Sequence, residues 1–336
     1  MVTRDDVARA AGVSTAVVSY VLNGGPRGVS PEAAARVRQA VKDLNYRPNG
    51  VARALVTNRT WALALIVPDN ANSFFALLAQ MIEAAAFERG YTLLLGNTME
   101  DAGRELRYVE AFQQRAVDGF IIAPTAARGT GIANLASGTA PVVLIDRDAD
   151  RTDVARVMVD NEQGGYVATR HLLEHGHRRI ACLAGPETVS NARRRRSGWQ
   201  RAMREARRST VGLSVGTDFS RKQAYRSTLK MLRRVAPPTA IFATADEQAL
   251  GIYRAAREVG ARIPDDLAVV SFDSASTAPY VSPGLTAVSQ PLKQMAELTV
   301  ERLIEQMHNA PTTTCDVLPV ELVVRGSCGC PEPAGL

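Results

Sequence analysis

Aromatic and charged residues recur where apolar, strand-like segments end. Phe74 and Phe75 follow the first such segment, and Asp273 closes a later one. Carboxylate and guanidinium groups bind vicinal hydroxyls through charge-assisted hydrogen bonds, while aromatic rings cover the apolar face of a ligand. These residue types therefore indicate a site for a small polyhydroxylated molecule. The candidates are Phe74, Phe75, Asp146, Arg147, Phe219 and Asp273.

A run of four arginines, Arg193 to Arg196, precedes a helical stretch and is predicted to lie in the loop that leads into it. Charge runs usually form a solvated face. We therefore expect most of these arginines to face solvent and one of them to reach the ligand site.

A second candidate surface lies on a short helix predicted over residues 15–22. Val18, Val21 and Leu22 share one face of that helix, which we expect to be buried. Another face of the helix carries four residues at the spacing i, i+1, i+4 and i+5. These are Thr15, Ala16, Ser19 and Tyr20. This second face is free to contact a partner molecule.

Two patterns bear on metal binding. His171 and His175 have the i, i+4 spacing of a two-histidine zinc face, with Glu174 between them. No third ligand is placed beside them by the sequence, and a histidine at a helix end more often interacts with the helix terminus. Cys328 and Cys330 form a lone CxC pair, which is weak evidence for zinc. We expect no metal and no cofactor.

The motifs of common enzyme classes are missing from the sequence. It contains no GxGxxG, P-loop, HExxH or GxSxG pattern, and Gly129-Thr-Gly131 is too little for a nucleotide site. We therefore expect a protein that is not an enzyme. The alternative is a sugar- or nucleoside-converting α/β enzyme with a helical N-terminal domain, because a fold alone does not determine function.

The elements around these residues begin with three short helices. Thr3 and Asp6 form a variant capping box at the first helix, and Gly12 ends it. Ser14 can cap the second helix and Ser30 the third. Three such helices in about 45 residues predict a helix-turn-helix domain. A small helical cap on a larger enzyme is the alternative interpretation.

Positive charge is concentrated at the same end. Residues 1–60 contain nine Lys or Arg and four Asp or Glu, a net charge of +5 out of +6 for all 336 residues. A small cationic module on a near-neutral body is typical of a protein that binds nucleic acid, although an anionic membrane surface also attracts it.

The body alternates strand-like runs with amphipathic helical stretches, which predicts parallel sheets with ligand sites at the carboxyl ends of the strands. The predicted strands are residues 63–67, 92–95, 119–123, 142–145, 180–184, 240–243 and 268–271. The predicted helices lie near 75–89, 102–115, 162–175, 193–206, 221–234, 247–259 and 292–308. A break near residue 160 indicates an α/β body with two lobes.

Composition points to the cytoplasm. Mean hydropathy is −0.08, and no apolar run reaches the roughly 18 residues that span a bilayer. The N-terminus lacks the apolar core of a signal peptide, and four cysteines suit a reducing compartment. We expect no membrane contact. A periplasmic binding protein would share the body but would carry a signal peptide and lack the basic module.

The N-terminal sequence closely resembles the LacI/GalR family of bacterial transcription repressors over residues 3–60. The resemblance is carried by the runs Asp6-Val7-Ala8, Ala11-Gly12-Val13-Ser14, Val18-Ser19-Tyr20-Val21-Leu22-Asn23, Val29-Ser30, Asn45-Tyr46-Arg47-Pro48-Asn49 and Ala52-Arg53-Ala54-Leu55. The two-lobed body has the periplasmic-binding-protein-like organisation that this family carries.

The resemblance implies contacts between the second helix and double-stranded DNA. Those facing base edges in a major groove are Thr15, Ala16 and Tyr20. Those near phosphates are Ser14, Ser19 and Asn23. Val17 stands where the family usually has Thr, and Tyr20 stands where it usually has Arg or His. Tyr20 therefore offers a single hydrogen bond or an apolar contact to a thymine methyl, instead of a bidentate contact to guanine.

Residues 49–56 resemble the family's hinge helix, which orders on DNA beside its dimer mate. Asn49 caps this segment, Ala52 lies within it, and the resemblance implies that Leu55 inserts into the minor groove at the centre of the operator. Inserting the side chain unstacks a base step at a cost of a few kcal/mol, which extra contact area offsets. Packing of Leu55 into the body is the alternative.

The resemblance also implies an effector site between the lobes. Its contacts include Arg195 and Asp273, and the chain crosses back between lobes near Gln290, which we include among them. Ala245 stands where the family usually has Asn, so one polar contact is expected to be missing. The expected effector is a sugar or sugar phosphate, with a nucleoside or purine as the alternative.

We thus expect a ligand-responsive repressor that binds a palindromic operator as a homodimer. The expected domains are a helix-turn-helix domain at 1–47, a hinge and linker at 48–60, an effector and dimerisation domain at 61–330 and a tail at 331–336. The expected lobes are 61–159 with 290–318, and 160–289 with 319–330. A dimer is favoured over a tetramer because residues 328–336 are too short for the C-terminal heptad helix of tetrameric family members.

Overall fold

The computed structural model describes residues 2–23, 28–47, 54, 57, 59–125, 132, 135, 140–149, 153–308 and 313–332. Within the chain lie two compact units, Met1–Thr60 and Trp61–Leu336. The predicted hinge contacts Asn49, Ala52 and Leu55, together with the side chain of Asn23, lie outside the described residues.

The first unit contains three helices: α1 (Arg4–Ala11), α2 (Thr15–Asn23) and α3 (Pro31–Asp43). The predicted capping box of Thr3 and Asp6 is present, and α1 ends at Gly12 in the left-handed conformation (φ 62°). Fully buried side chains from each helix form a small core: Val7, Val18 and Val37. Helices this short are only marginally stable in isolation, so the unit is stabilised by the apolar packing between them.

The second unit contains two six-stranded sheets. The first has the order β11-β5-β4-β3-β1-β2 and all its strands are parallel. Its strands are β1 (Ala62–Val67), β2 (Thr92–Asn97), β3 (Gly119–Ile122), β4 (Val142–Ile145), β5 (Ala155–Val159) and β11 (Cys315–Leu318). Its central strands are continuous apolar runs because helices cover both faces.

The second sheet has the order β12-β10-β9-β8-β6-β7, with only β12 antiparallel to its neighbour among the described strands. Its strands are β6 (Ile180–Ala184), β7 (Ser214–Gly216), β8 (Ala240–Ala243), β9 (Ala268–Asp273), β10 (Thr286–Ser289) and β12 (Glu321–Val323). The chain thus passes between the sheets after β5, after β10 and after β11, which makes two lobes joined by three crossings.

Seven further helices accompany the sheets in the described chain: α4 (Ser73–Phe87), α5 (Ala102–Gln114), α6 (Asn161–Glu174), α7 (Ser190–Glu205), α8 (Arg221–Leu232), α9 (Asp246–Val259) and α10 (Leu292–His308). Each lies within a few residues of a predicted helix. The predicted fold class, a helical N-terminal domain followed by a two-lobed α/β body, is confirmed. None of the helices described is both long and apolar enough to cross a membrane.

Two predictions about elements were wrong. The strands β5, β7, β10, β11 and β12 were not predicted, because each of them either lies at a sheet edge or is interrupted by polar residues. Arg193 to Arg196 lie inside α7 instead of in a loop before it. That helix begins at Ser190 without a side-chain cap at Val189, so the usual sequence signal for a helix start is missing.

Candidate ligand cleft and nucleic-acid interface

A cleft with about 290 Å³ of empty space, part of it open to solvent, lies where the carboxyl ends of strands from both sheets face each other. Residues that follow β1 and β4 line one side, and residues that follow β6, β7, β8 and β9 line the other. The lining residues are Asn72, Phe74, Phe75, Asp146, Arg147, Asn191, Arg195, Phe219, Ala245 and Asp273. Seven of the eight effector residues predicted from the sequence are among them.

Arg195 is held in the cleft wall by hydrogen bonds and an aromatic ring. Its Nε donates to Asn161 Oδ1 at 2.8 Å, and its Nη1 donates to the Thr244 carbonyl at 2.7 Å. The guanidinium lies 3.6 Å from the centroid of the Phe272 ring. The same Nη1 reaches Asp273 Oδ1 at 3.2 Å. Arg195 is therefore presented to a ligand in one orientation, as a preorganised donor.

Asp273 is buried beside this guanidinium. Burial raises its pKa to about 8, against the effect of Arg195, and the neighbouring carboxylates of Asp246 and Asp146 raise it further. Gln290 Nε2 donates to Asp273 Oδ1 at 2.8 Å. Gln290 thus lies behind the cleft wall and orients Asp273. A carboxyl group with such a pKa can accept or donate a hydrogen bond near neutral pH.

Asp146 links the two lobes. It follows β4 of the first sheet and is 2% exposed, and burial raises its pKa. Asn191 Nδ2, on α7 of the other lobe, donates to both Asp146 oxygens at 3.3 and 3.2 Å. Ser73 Oγ likewise donates to Glu247 Oε1 across the cleft at 3.1 Å. Opening the cleft requires these contacts to break.

Three cleft residues have the left-handed backbone conformation that side chains other than glycine rarely adopt: Asp146 (φ 62°), Phe219 (φ 64°) and Asp273 (φ 110°). Such strained positions cluster at functional sites because the surrounding structure must hold them in place. Their meeting at one cavity supports its assignment as a binding site.

Two buried polar atoms at the cleft have no hydrogen-bond partner within the described residues, Asn191 Oδ1 and Gln290 Oε1. Buried polar atoms are almost always paired, and an unpaired one costs roughly 1–3 kcal/mol. A ligand hydroxyl donating to Asn191 Oδ1 would remove that cost at the cavity wall.

The aromatic wall comes from both lobes. Phe74 and Phe75 begin α4, where Asn72 Oδ1 accepts from the Phe74 amide, and their rings meet edge to face at 5.0 Å. Phe219 covers Gly185 so closely that a Cβ there would lie 2.2 Å from its ring. Aromatic rings thus face the cavity from opposite sides.

Arg147 has a different environment from the one its residue type suggested. Both of its terminal nitrogens donate to Glu100, at 2.8 and 2.7 Å, and the guanidinium lies 5.5 Å from the Phe75 ring. It therefore lines the cavity with its charge already paired.

Asn72 and Asn191 line the cleft but were not predicted. Asn72 had a signal, since it occupies the cap position before α4. Asn191 had none, because its importance depends on Asp146 in the other lobe.

Ala245 lines the cavity with a methyl group and is followed by a carboxylate that turns away from it. Asp246 accepts hydrogen bonds from Ser271 Oγ and from the Ala275 amide, at 2.6 Å for the latter. The polar contact expected to be missing at position 245 is not replaced by Asp246.

The first unit presents the predicted face of α2. Ala16 is exposed, while Thr15, Ser19 and Tyr20 are half-buried. Ser14 Oγ accepts from the Val17 amide at 3.3 Å, so it caps α2 as predicted. Exposed cations in this unit include Arg4, Arg9, Arg38, Lys42 and Arg47. Contacts of the α2 residues with DNA stay a prediction.

Comparisons with known proteins find similar proteins for both units of the chain. Residues 3–49 match the model for bacterial regulatory proteins of the lacI family, and residues 169–328 match a periplasmic binding protein-like domain. An HTH-type transcriptional repressor PurR from Klebsiella pneumoniae subsp. pneumoniae is 34% identical over 92% of this chain and 91% of its own. A ribose operon repressor from Halalkalibacterium halodurans is 37% identical over 97% and 96%.

A solved structure shows the same fold. The lac repressor dimer bound to operator and the anti-inducer ONPF superposes with a TM-score of 0.88 at 28% identity, covering 97% of this chain and 99% of that one.

Proposed function

This chain belongs to the lacI family of bacterial regulatory proteins, and we propose that it is a repressor whose affinity for a palindromic operator is set by a small ligand in the cleft. It acts as a homodimer, because one small helical unit covers too little DNA for useful affinity and a two-fold pair reads two half-sites. It functions in the cytoplasm, as a regulator and not as an enzyme.

One observation carries this proposal: a basic helix-turn-helix unit and a polar, aromatic cleft occur in the same chain. The first provides a DNA surface and the second a ligand site. A periplasmic binding protein or a sugar-converting enzyme would account for the cleft alone.

The effector is a sugar or sugar phosphate. Its hydroxyls would bind Arg195, Asp273 and the unpaired Asn191 Oδ1, and its apolar face would lie against the phenylalanines. Polar and aromatic side chains from both lobes line this cleft, which suits a ligand with both hydroxyls and an apolar face. The name of the ribose operon repressor among its relatives supports a sugar. A nucleoside or purine is the second candidate, favoured by the aromatic walls.

The mechanism is a change in lobe arrangement. A ligand held by Asp273 in one lobe and by Phe74 in the other favours the arrangement in which the lobes are close together. In that arrangement the Asp146–Asn191 contact between the lobes is formed. If operator and ligand prefer different arrangements, each changes the other's affinity by the same factor, typically about 5- to 150-fold.

The test is to capture genomic DNA fragments on the purified chain, sequence them, and measure binding of the selected duplex with and without each sugar, sugar phosphate and purine. We expect a palindromic site and one class of compound that changes its affinity. Retention of fragments without a shared site would contradict the proposal.

A further inference from the structure

Four metal-ligating side chains meet at the end of α6, away from the cleft. His171 and His175 lie one helical turn apart, with ring centroids 4.4 Å apart. Cys328 ends a short 3₁₀ turn at Gly326–Cys328, and Cys330 follows it. One ligand atom from each of the four lies within 4.8 Å of the other three. The histidine and cysteine pairs, weak signals when taken separately, form one cluster.

The distances suit tetrahedral coordination. His175 Nε2 lies 3.1 Å from Cys330 Sγ, and His171 Nε2 lies 3.9 Å from the same sulfur. In a tetrahedral zinc site, with bonds of about 2.3 Å to sulfur and about 2.0–2.1 Å to nitrogen, a sulfur and a nitrogen ligand are about 3.6 Å apart. The distances from Cys330 to the two histidines lie on either side of this value, and Cys328 offers its sulfur within 4.8 Å of the other three ligand atoms.

The histidine that is most exposed is already oriented for coordination. His175 Nδ1 lies 2.8 Å from the backbone carbonyl of His171, a contact in which the ring nitrogen donates. This places the proton on Nδ1 and leaves the lone pair of Nε2 directed at Cys330. Metal-binding histidines usually have such a hydrogen bond on their second nitrogen.

The backbone between the cysteines brings both thiols to the same side. Gly329 has φ 97°, a conformation that other residues adopt only with strain. Both thiols are free, and Cys328 is 1% exposed. Cys328 Sγ lies 3.2 Å from Thr286 Oγ1 and donates to the Arg325 carbonyl at 3.3 Å, so this thiol is held in place and gives up its proton when it binds a metal. Ser327 anchors the turn by donating to the Val269 carbonyl at 2.6 Å.

We propose that His171, His175, Cys328 and Cys330 bind one Zn²⁺ ion that fastens the C-terminal segment to α6. Two nitrogen and two thiolate ligands in tetrahedral arrangement select zinc over harder cations such as Mg²⁺ or Ca²⁺. With four protein ligands the site has no open position for a substrate, so the role is structural. It joins residues that are more than 150 positions apart in the sequence.

The test uses the full chain, stripped of metal with a chelator under reducing conditions and titrated with Co²⁺. We expect one Co²⁺ per chain, with the strong visible absorption of tetrahedral cobalt and a near-ultraviolet thiolate band, both abolished by added Zn²⁺. Zn²⁺ should also raise the melting temperature of the stripped protein.

Variants identify the ligands. Cys330→Ser and His175→Gln, at half-buried and exposed positions, should weaken Co²⁺ affinity at least about 100-fold, since loss of an outer-shell partner alone costs 10- to 100-fold. Cys315→Ser is the matched control, because Cys315 is exposed and outside the cluster. Circular dichroism shows whether each variant is folded.

Three results would overturn the proposal. These are a cobalt spectrum without thiolate or tetrahedral bands, equal metal affinity in Cys330→Ser and Cys315→Ser, and no metal binding by folded wild type with both thiols reduced.

Discussion

Among single residues, the cleft depends most on a guanidinium and a carboxyl group that are buried together. Arg195 and Asp273 are each at most 5% exposed and pair at 3.2 Å. Removing one partner of such a pair leaves the other buried without compensation, which costs more than the pair itself contributes. Gln290 and Asn161 supply additional hydrogen bonds, which offset part of the cost of removing the two groups from water. The pair is therefore rigid, and a ligand meets it without further ordering.

Replacing Asp273 tests the ligand assignment. Asp273→Ala should weaken binding of the compound found in a thermal-shift panel of sugars, sugar phosphates and purines by about 1–3 kcal/mol or more, because ligand hydroxyls lose a buried hydrogen-bonding partner. Operator binding should persist without response to the ligand. Arg195→Ala should behave similarly, and isothermal titration measures both.

Asp265→Ala is the matched control, since its side chain is 60% exposed and is not among the residues that line the cleft. Unchanged ligand affinity in both Asp273→Ala and Arg195→Ala would place the ligand site elsewhere.

The raised pKa of Asp273 predicts a pH dependence of stability. Burial raises this pKa from 3.8 to about 8, so the folded state binds a proton that the unfolded state releases between those values. The stability from this group is complete below pH 3.8 and is lost as pH rises towards 8. Urea unfolding across this range should show a smaller loss in Asp273→Asn than in wild type. Parallel curves for the two proteins would contradict the assignment.

At the scale of elements, the position of Arg195 depends on how closely α6 and α7 pack. A Cβ on Gly165 would lie 2.1 Å from the Arg195 carbonyl oxygen, and one on Gly198 would lie 2.0 Å from the Glu162 carbonyl oxygen. The two helices therefore meet backbone to backbone, and only glycine permits this. α6 also contributes Asn161, which accepts a hydrogen bond from Arg195. The packing of these two helices therefore sets the positions of both side chains.

Gly165→Ala should force α6 and α7 apart. We expect it to reduce the free energy of unfolding by about 1–3 kcal/mol, as overpacking usually does, and to weaken ligand binding by moving Arg195. Gly216→Ala is the control, because a Cβ at that glycine meets nothing within 4 Å. Denaturant melts and ligand titrations measure the two effects; equal stability of both variants would show that the helices have room to adjust.

At the scale of the whole molecule, charge and ligand response belong to different units. The first 60 residues hold nearly all of the net positive charge, and the remainder holds the cleft. Electrostatic attraction therefore governs DNA binding, while burial and hydrogen bonding govern ligand binding. The two activities should respond differently to solution conditions.

The salt concentration should affect DNA binding and ligand binding differently. Operator affinity should fall steeply between about 50 and 200 mM salt, with a log–log slope near −0.9 for each phosphate contact, because counterions are released. Ligand affinity should change little over the same range if the ligand is a neutral sugar. Fluorescence anisotropy of a labelled duplex measures the slope, and a scrambled duplex of equal length controls for sequence. A flat response would exclude DNA as the partner.

The helices, the longer apolar strands and the kind of site they hold could be predicted from the sequence alone. Apolar periodicity is a short-range property, so the helices were predicted within a few residues. Parallel pairing also places Phe74 and Asp146 at one edge of the first sheet and Asp273 at the corresponding edge of the second. The motifs of residues 3–60 predicted the family, and the comparisons confirm it.

Which side chains meet depends on the tertiary structure. The pairing of Arg147 with Glu100, the contact of Asn191 with Asp146, and the approach of Cys330 to His175 all join residues far apart in the chain. No local pattern encodes such contacts, because they depend on the packing of whole helices and sheets. The sequence therefore indicated a sugar-like ligand and DNA, whereas the zinc cluster became visible only when two distant, individually weak motifs were brought within bonding distance.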